Sequence, residues 1–294
     1  KYAKILIEKG YAYPDPYTEE EVASLRQKAE QEKKLFLFRD HRPEFFGSWD
    51  GSKPLRFKVP EIKSYTWNDA VRGELTAGPE ALDDFILIKS DGYPTYNFAH
   101  IIDDLEMGVT HVMRADEFIA STPKFLSLYD ALGIPQPVLV TLPPILSPEG
   151  NKKLGKRDGA KDILEYREEG YLPEAMVNFL AFLGWNPGGE KEIMTIDEII
   201  SHFEISKIHK AGAMFNEEKL LWMNKEHVRL KSKEEQLEAI IPYFKDYNRE
   251  LLKKLLPTVI DRISVYRELI EIEASEFRFF KERPVLNVEN VVWK

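Results

Sequence analysis

The sequence predicts an α/β region followed by an all-α carboxyl-terminal region. Three observations lead there. Between residues 84 and 142, short apolar runs alternate with helical patterns, as strand–helix–strand units require. After residue 157 the periodic segments are of helical type. From Lys233 onward, Leu237, Ile240, Ile241, Phe244, Leu251, Leu252, Leu255 and Leu256 fall at heptad-like spacing, the mark of a bundle. With 294 residues the chain is long enough for about two domains.

Taken in order, residues 1–35 are helix-rich. Tyr2, Ile5, Leu6 and Ile7 give a first helix its apolar face, and Thr18 followed by Glu19, Glu20 and Glu21 is a threonine N-cap with an acidic first turn. Tyr13-Pro14-Asp15-Pro16-Tyr17 between them reads as a turn. Leu55-Arg56-Phe57-Lys58-Val59 alternates at period two and ends at Pro60, which makes it a strand. The run at 84–89 is nearly continuous apolar, as expected of a strand covered on both faces in a parallel sheet. Helix at 96–107, strand at 110–114, helix at 121–132 and strand at 137–142 complete part of a doubly wound unit. Pro173 opens a further helix, Thr195 to Glu198 is a capping pattern, and 217–223 is amphipathic.

Composition removes several function classes. Cys is absent, which excludes disulfide frameworks, a thiol nucleophile and every cysteine-ligated zinc or iron–sulfur site. That absence is compatible with a reducing compartment, and a cytoplasmic location is expected. The most apolar stretch, 175–185, is broken by Asn178 and is far shorter than the roughly 18 residues a membrane span needs, so no membrane is expected among the partners. The zincin pattern, the Gly-x-Ser-x-Gly elbow, the P-loop and the Gly-x-Gly-x-x-Gly fingerprint are all missing. Lys and Arg total 41 against 50 Asp and Glu, a formal charge of -9, which disfavours nonspecific polyanion binding. Screening beyond about 8 Å nevertheless leaves room for a local basic patch. One exists: Asn151-Lys152-Lys153-Leu154-Gly155-Lys156-Arg157 carries four cations in seven residues, just after the last strand of the α/β unit. On spacing alone, a solvated loop and a phosphate-binding loop are equally open. Lys153 and Lys156, three apart, can both face a triphosphate, and Gly155 gives the loop freedom to move.

That run resembles the KMSKS signature of class I aminoacyl-tRNA synthetases, in the KLSKR form of glutamyl-tRNA synthetases with Gly155 in place of serine. Other blocks resemble the same family in the same order: Asp69-Ala70-Val71-Arg72-Gly73-Glu74, Lys89 through Ala99 with Tyr96 inside it, Asp103-Asp104, His111 through Glu117, and Ser121-Thr122-Pro123-Lys124. Weaker similarity runs from Phe215 to Asn224.

The resemblance implies part of a Rossmann-like nucleotide fold with an acceptor-binding insertion, followed by an all-α region. It implies an acceptor-stem insertion over 1–88, the second half of the catalytic fold over 89–150, a stem-contact region with the KLGKR loop over 151–232, and part of a helical anticodon-binding domain over 233–294. It implies a ligase that joins L-glutamate to tRNA(Glu) through a glutamyl-adenylate, using ATP and Mg²⁺ and acting as a monomer. Lys156 and Lys153 would be catalytic. Lys156, Lys153, Arg157, Gly155 and Glu117 would bind ATP. Arg114, Tyr96 and His100 would bind glutamate. A bidentate guanidinium suits a planar carboxylate, which agrees with that role for Arg114. Outside the resemblance, Arg114 reads as a surface arginine at a strand end, Tyr96 as half-buried core, and Asp103 and Asp104 as solvated or salt-bridged acids.

Two departures stand out. The His-Ile-Gly-His type signature is missing, so the first half of the catalytic fold, with that signature and part of the glutamate pocket, is expected upstream of Lys1. Some relatives hold zinc near the positions of Tyr11 to Tyr17; here there is no Cys, and neither zinc nor any other protein-held metal is expected. The rival readings are a glutamylation enzyme acting on a tRNA base, a glutaminyl-tRNA synthetase, and a non-catalytic tRNA-binding module of synthetase origin.

Overall fold

The computed structural model describes residues 1–155, 157 and 161–277. It divides into two compact units, Lys1–Leu142 and Pro143–Lys294.

The first unit begins with α1 (Tyr2–Glu8), which buries Ala3 and Leu6. Residues 13–17 are not the simple turn expected of them: β1 (Ala12–Pro14) pairs antiparallel with β2 (Leu55–Phe57) after the intervening helix α2 (Glu19–Gln31). Tyr13 explains the difference, because its ring is buried and its hydroxyl donates to Asp84 at 2.9 Å, so core packing overrides the two turn prolines. Thr18 does cap α2, in a reciprocal capping box with Glu21.

Two sheets follow rather than one. The hairpin β3 (Tyr65–Asp69) and β4 (Gly73–Ala77) turns at Gly73, whose φ of 82° suits glycine. Next in the chain, β5 (Ile86–Ile88) pairs antiparallel with β2, giving the order β1-β2-β5. The parallel pairing expected for this run is therefore corrected. Its apolar character has another cause: Leu87 is wholly buried in the core, while its neighbours are half-covered. The chain then enters α3 (Tyr96–Glu106), β6 (His111–Ala115), a 3₁₀ segment (Asp116–Ser121), α4 (Thr122–Leu132) and β7 (Val138–Leu142). Strand β7 lies parallel to β6 from His111↔Val138 to Ala115↔Leu142, and parallel to β3 at Asp69↔Leu139. The second sheet thus has the order β4-β3-β7-β6. The core combines Leu6, Phe57, Leu82, Leu87, Ile101 and Leu128; each side chain of this size stabilises by about 1.5–3 kcal/mol when removed from water.

The second unit starts with β8 (Ile145–Leu146), followed by α5 (Ile163–Glu169), α6 (Pro173–Gly184) and α7 (Ile196–His202). Strand β9 (Ala213–Met214) runs parallel to β8. Helices α8 (Glu217–Leu230), α9 (Lys233–Ile240), α10 (Arg249–Arg262) and α11 (Leu269–Ile272) complete it. Pro173 sits at the start of α6, and Thr195 and Ser232 close capping boxes on α7 and α9. The heptad-like residues form one cluster: Leu237, Ile240, Phe244, Leu252 and Leu256 are buried, with Ile241, Leu251 and Leu255 packed against them. Asn178, fully buried, accepts from the Met194 amide at 2.9 Å and faces His227 Nε2 at 3.0 Å. No helix among the described residues is long and apolar enough to cross a membrane.

Candidate active site

In the first unit, the carboxyl end of β6 and α3 bring two predicted residues, Arg114 and His100, to one cavity and set Tyr96 beside both. Arg114 sits one residue before the end of β6, in register with Thr141 of β7. Its guanidinium lies 5.1 Å from the Phe118 ring centre, 5.6 Å from Tyr96 and 5.7 Å from Phe125. Such a cation boxed by rings gains about 0.5–2 kcal/mol, more as water is removed. Its anionic neighbour is Asp104 of α3, at 3.8 Å from Nη2 to Oδ2, with side chains 18% and 23% exposed. That Asp104 oxygen is buried and has no hydrogen-bond partner, so the pair is close but open.

Tyr96, 56% exposed, opens α3 and stacks on His100 one turn later, with ring centres 4.9 Å apart. His100 meets Phe125 edge-on at 4.6 Å, and its Nδ1 lies 2.7 Å from the Tyr96 carbonyl. Burial holds the His100 imidazole below its ordinary pKa, with the Arg114 charge pushing the same way against the Tyr96 carbonyl and the Asp104 and Asp103 carboxylates. The cavity of about 40 Å³ is lined by His100, Asp104, Arg114, Phe118 and Phe125, with Asp69 and Thr141 at its floor.

Asp69 fixes that floor. Its carboxylate accepts from the amides of Val71 and Arg72, each at 2.9 Å, and of Thr141 at 3.2 Å, and from the Thr141 hydroxyl at 2.6 Å. Burial would raise its pKa, but the Thr141 hydroxyl and these amides outweigh burial and hold the carboxyl below the usual range. Glu117 lies exposed on the 3₁₀ segment that follows β6. Asp116 begins the same segment without capping it by its side chain.

The basic loop belongs to the second unit and is a pinned hairpin. Leu146 bridges Lys153, the Ser147 amide donates to the Lys152 carbonyl at 2.8 Å, and the Leu154 amide donates to the Ile145 carbonyl at 2.8 Å. Gly150 turns the hairpin at φ 72°, where a Cβ would meet Met214 Sδ at 2.9 Å. Lys153 and Arg157 are exposed, and Gly155 is half-buried. Lys156 lies outside the described residues, as do 158–160 and the 278–294 part of the expected anticodon-binding region.

Sequence reasoning missed the walls of the cavity, Phe118 and Phe125, and its floor, Asp69 with Thr141. Phe118 and Phe125 look like ordinary core residues in the one-dimensional pattern. Asp69 was quoted within a motif, yet nothing in the string shows that its partner is 72 residues away.

Comparison with known proteins completes the site's setting. Residues 1–222 match the family model of class I tRNA synthetases (E and Q), catalytic domain. A glutamate–tRNA ligase of Clostridium kluyveri is 38% identical over 306 residues, covering 100% of this chain and 61% of that relative. One from Carboxydothermus hydrogenoformans is 41% identical over 258 residues, covering 83% of this chain and 52% of that relative. A crystal structure of a glutamate tRNA ligase from Elizabethkingia meningosepticum in complex with its amino acid superposes with TM-score 0.83 at 32% identity, covering 97% of this chain and 65% of that one. The glutamate–tRNA synthetase of Elizabethkingia anophelis gives 0.82 at 34% identity, covering 94% and 62%. The chain therefore spans about six tenths of the length of the first of these relatives, 61%. With the catalytic-domain model matched over residues 1–222, the chain belongs to the class I tRNA synthetases of the E and Q group.

Proposed function

We propose that the protein ligates L-glutamate to tRNA(Glu) by way of a glutamyl-adenylate. The observation that carries this reading is the Arg114 guanidinium boxed by Tyr96, Phe118 and Phe125 beside a cavity, with His100 on the same wall. A planar cation with spare donors fits a side-chain carboxylate. The names of the relatives support the same substrate.

In the first step the α-carboxylate of glutamate attacks the α-phosphorus of ATP, and the bond to the bridging oxygen breaks as pyrophosphate departs. Negative charge builds on the departing phosphates, and a cation placed there lowers the barrier. Lys153 and Lys156 are assigned that role, with Arg157 and Gly155 shaping the loop and Glu117 beside the nucleotide. In the second step a ribose hydroxyl of the terminal adenosine attacks the adenylate carbonyl and AMP leaves. Residues 1–88 are assigned to the acceptor stem, 89–150 to the catalytic half-fold, 151–232 to stem contact and 233–294 to the anticodon side. The net charge of -9 makes the tRNA contacts local rather than field-driven.

The described residues hold no group of three or more His, Asp or Glu side chains fit to grip a metal. Mg²⁺ is read as a companion of the triphosphate, and no step here is routed through it.

The test is amino-acid-dependent exchange of pyrophosphate into ATP by the full-length enzyme. Glutamate should support exchange and glutamine should not. Lys156→Ala should slow it by about a hundredfold with tRNA affinity unchanged. Exchange that ignores glutamate refutes the reading.

A further inference from the structure

The rings of Tyr96, Phe118 and Phe125 confine the Arg114 guanidinium, whereas its height over the cavity follows from the strand that carries it. Strand β6 is an outer strand: among the described residues it pairs with β7 alone, over the five positions from His111↔Val138 to Ala115↔Leu142. Strand β7 is held in turn by β3, in register at Asp69↔Leu139, where the Ala70 amide donates to the Leu139 carbonyl at 2.9 Å. That backbone join stops two residues before Thr141, the register partner of Arg114.

Asp69 carries the join across the gap with its side chain. Oδ1 accepts from the amides of Val71 and Arg72, each at 2.9 Å, and from the Thr141 amide at 3.2 Å, while Oδ2 accepts from the Thr141 hydroxyl at 2.6 Å. The first two bonds fix the turn after β3, and the other two tie that turn to β7. Asp69 and Thr141 are both buried, so water does not compete for these bonds. An ionised acceptor also puts them in the stronger class of hydrogen bond. Asp69, Thr141 and Arg114 all line the cavity. A binding group must be held to within about 0.5 Å of its productive position, and Arg114 stands on a strand supported from one side only among the described residues.

We propose that Asp69, acting through Thr141, is the positioning residue for Arg114: the clamp fixes β7 to the end of β3 and so sets where the guanidinium meets an acidic side chain. The inference rests on the assignment of glutamate to the Arg114 cavity. Its consequence is that loosening the clamp weakens glutamate recognition while leaving ATP and the chemical step alone.

The experiment is steady-state pyrophosphate exchange by the full-length enzyme, with the melting temperature of each variant measured alongside. Thr141→Val keeps the shape of the side chain and removes the hydroxyl. It should raise KM for glutamate about tenfold, with kcat and the KM for ATP changed less than about twofold. Thr141→Ser restores the hydroxyl and should bring the KM back to within about twofold of the unaltered enzyme. Asp69→Asn keeps one oxygen for the three amides and can donate to the Thr141 hydroxyl instead, so its rise should be only about threefold. Beside Arg114→Gln, Thr141→Val should add less than about twofold, because the group it positions is gone. A full tenfold rise in that background overturns the proposal, as does an unchanged KM in Thr141→Val. Parallel losses in glutamate KM, ATP KM and kcat, with a lowered melting temperature, assign the clamp to folding alone and overturn it too. If Thr141→Val does not fold, Asp69→Asn carries the same cycle: its rise should vanish beside Arg114→Gln, and a persistent rise overturns the proposal. Each of these failures leaves the substrate assignment standing. Exchange by the unaltered enzyme that ignores glutamate overturns both.

Discussion

Asp69→Ala should unfold the floor of the cavity. The substitution leaves the amides of Val71, Arg72 and Thr141 without their acceptor and the Thr141 hydroxyl without its own. Asp69 is 2% exposed, so water does not readily replace the lost oxygen atoms. An orphaned buried donor costs about 1–3 kcal/mol; three amides together, allowing for some relaxation, give about 3–5 kcal/mol, out of a typical 5–15 kcal/mol for a domain. Asp69→Asn keeps one oxygen and should lose only about 1–2 kcal/mol. The assay is urea unfolding, with hydrogen exchange at the amides of β3 and β7 used to separate the first unit from the second. The pH dependence carries its own sign. The folded pKa of Asp69 is lowered, so its contribution is complete above the ordinary carboxyl value of 3.8 and is lost as pH falls through the folded value below it. Asp69→Asn should flatten that acid limb. A stability of Asp69→Ala within about 1 kcal/mol of the unaltered protein would refute the reasoning.

Three other outcomes are expected. Gly170→Ala should destabilise the second unit by at least about 2 kcal/mol in thermal unfolding, because φ is +88° there and the new Cβ would lie 2.8 Å from the Tyr266 backbone nitrogen, an atom that cannot swing aside. Gly150→Ala should cost less in stability, about 1 kcal/mol, since the atom it meets is the flexible Met214 sulfur, but it should slow pyrophosphate exchange by misplacing Lys153; equal rates would show that the hairpin turn does not matter. Burial holds His227 below its ordinary pKa, against a Glu174 charge that raises it. The unfolded ring therefore binds the proton first, and stability of the second unit should fall as pH drops below about 6.5 toward the folded value. His227→Gln should remove that slope in a pH series of melting temperatures.

How much of this was legible in the string depends on distance along the chain. Capping boxes are local, and Thr18, Thr195 and Ser232 stand where their patterns put them. The heptad-like apolar set of the last helices is local too, and it forms one core. Strand partners are not local. The run at residues 84–89 looked like a parallel central strand because it is apolar, yet β5 pairs antiparallel with β2, and the apolar signal reports burial of Leu87 alone. Tyr13-Pro14-Asp15-Pro16 carries strong turn signals, but Tyr13 reaches Asp84 and the segment becomes an edge strand. In the site, the motifs pointed to Arg114, Tyr96 and His100; the fold puts Arg114 and His100 on one cavity, with the Tyr96 ring beside both. The Asp104 partner was visible as half of an acidic pair whose role stayed open. The rings that box Arg114 were not visible, because a phenylalanine that lines a ligand cavity is chemically the same as one that fills a core.

The central claim is that the Arg114 guanidinium selects an acidic side chain. Equilibrium titration of the unaltered protein and of Arg114→Gln with glutamate, glutamine and ATP tests it most directly. Arg114→Gln should lose at least about tenfold in glutamate affinity, as expected for a charge-assisted pair worth roughly 1.5–3 kcal/mol, with ATP affinity changed less than about twofold. Parallel losses for glutamate and ATP, or undiminished glutamate affinity, would contradict it.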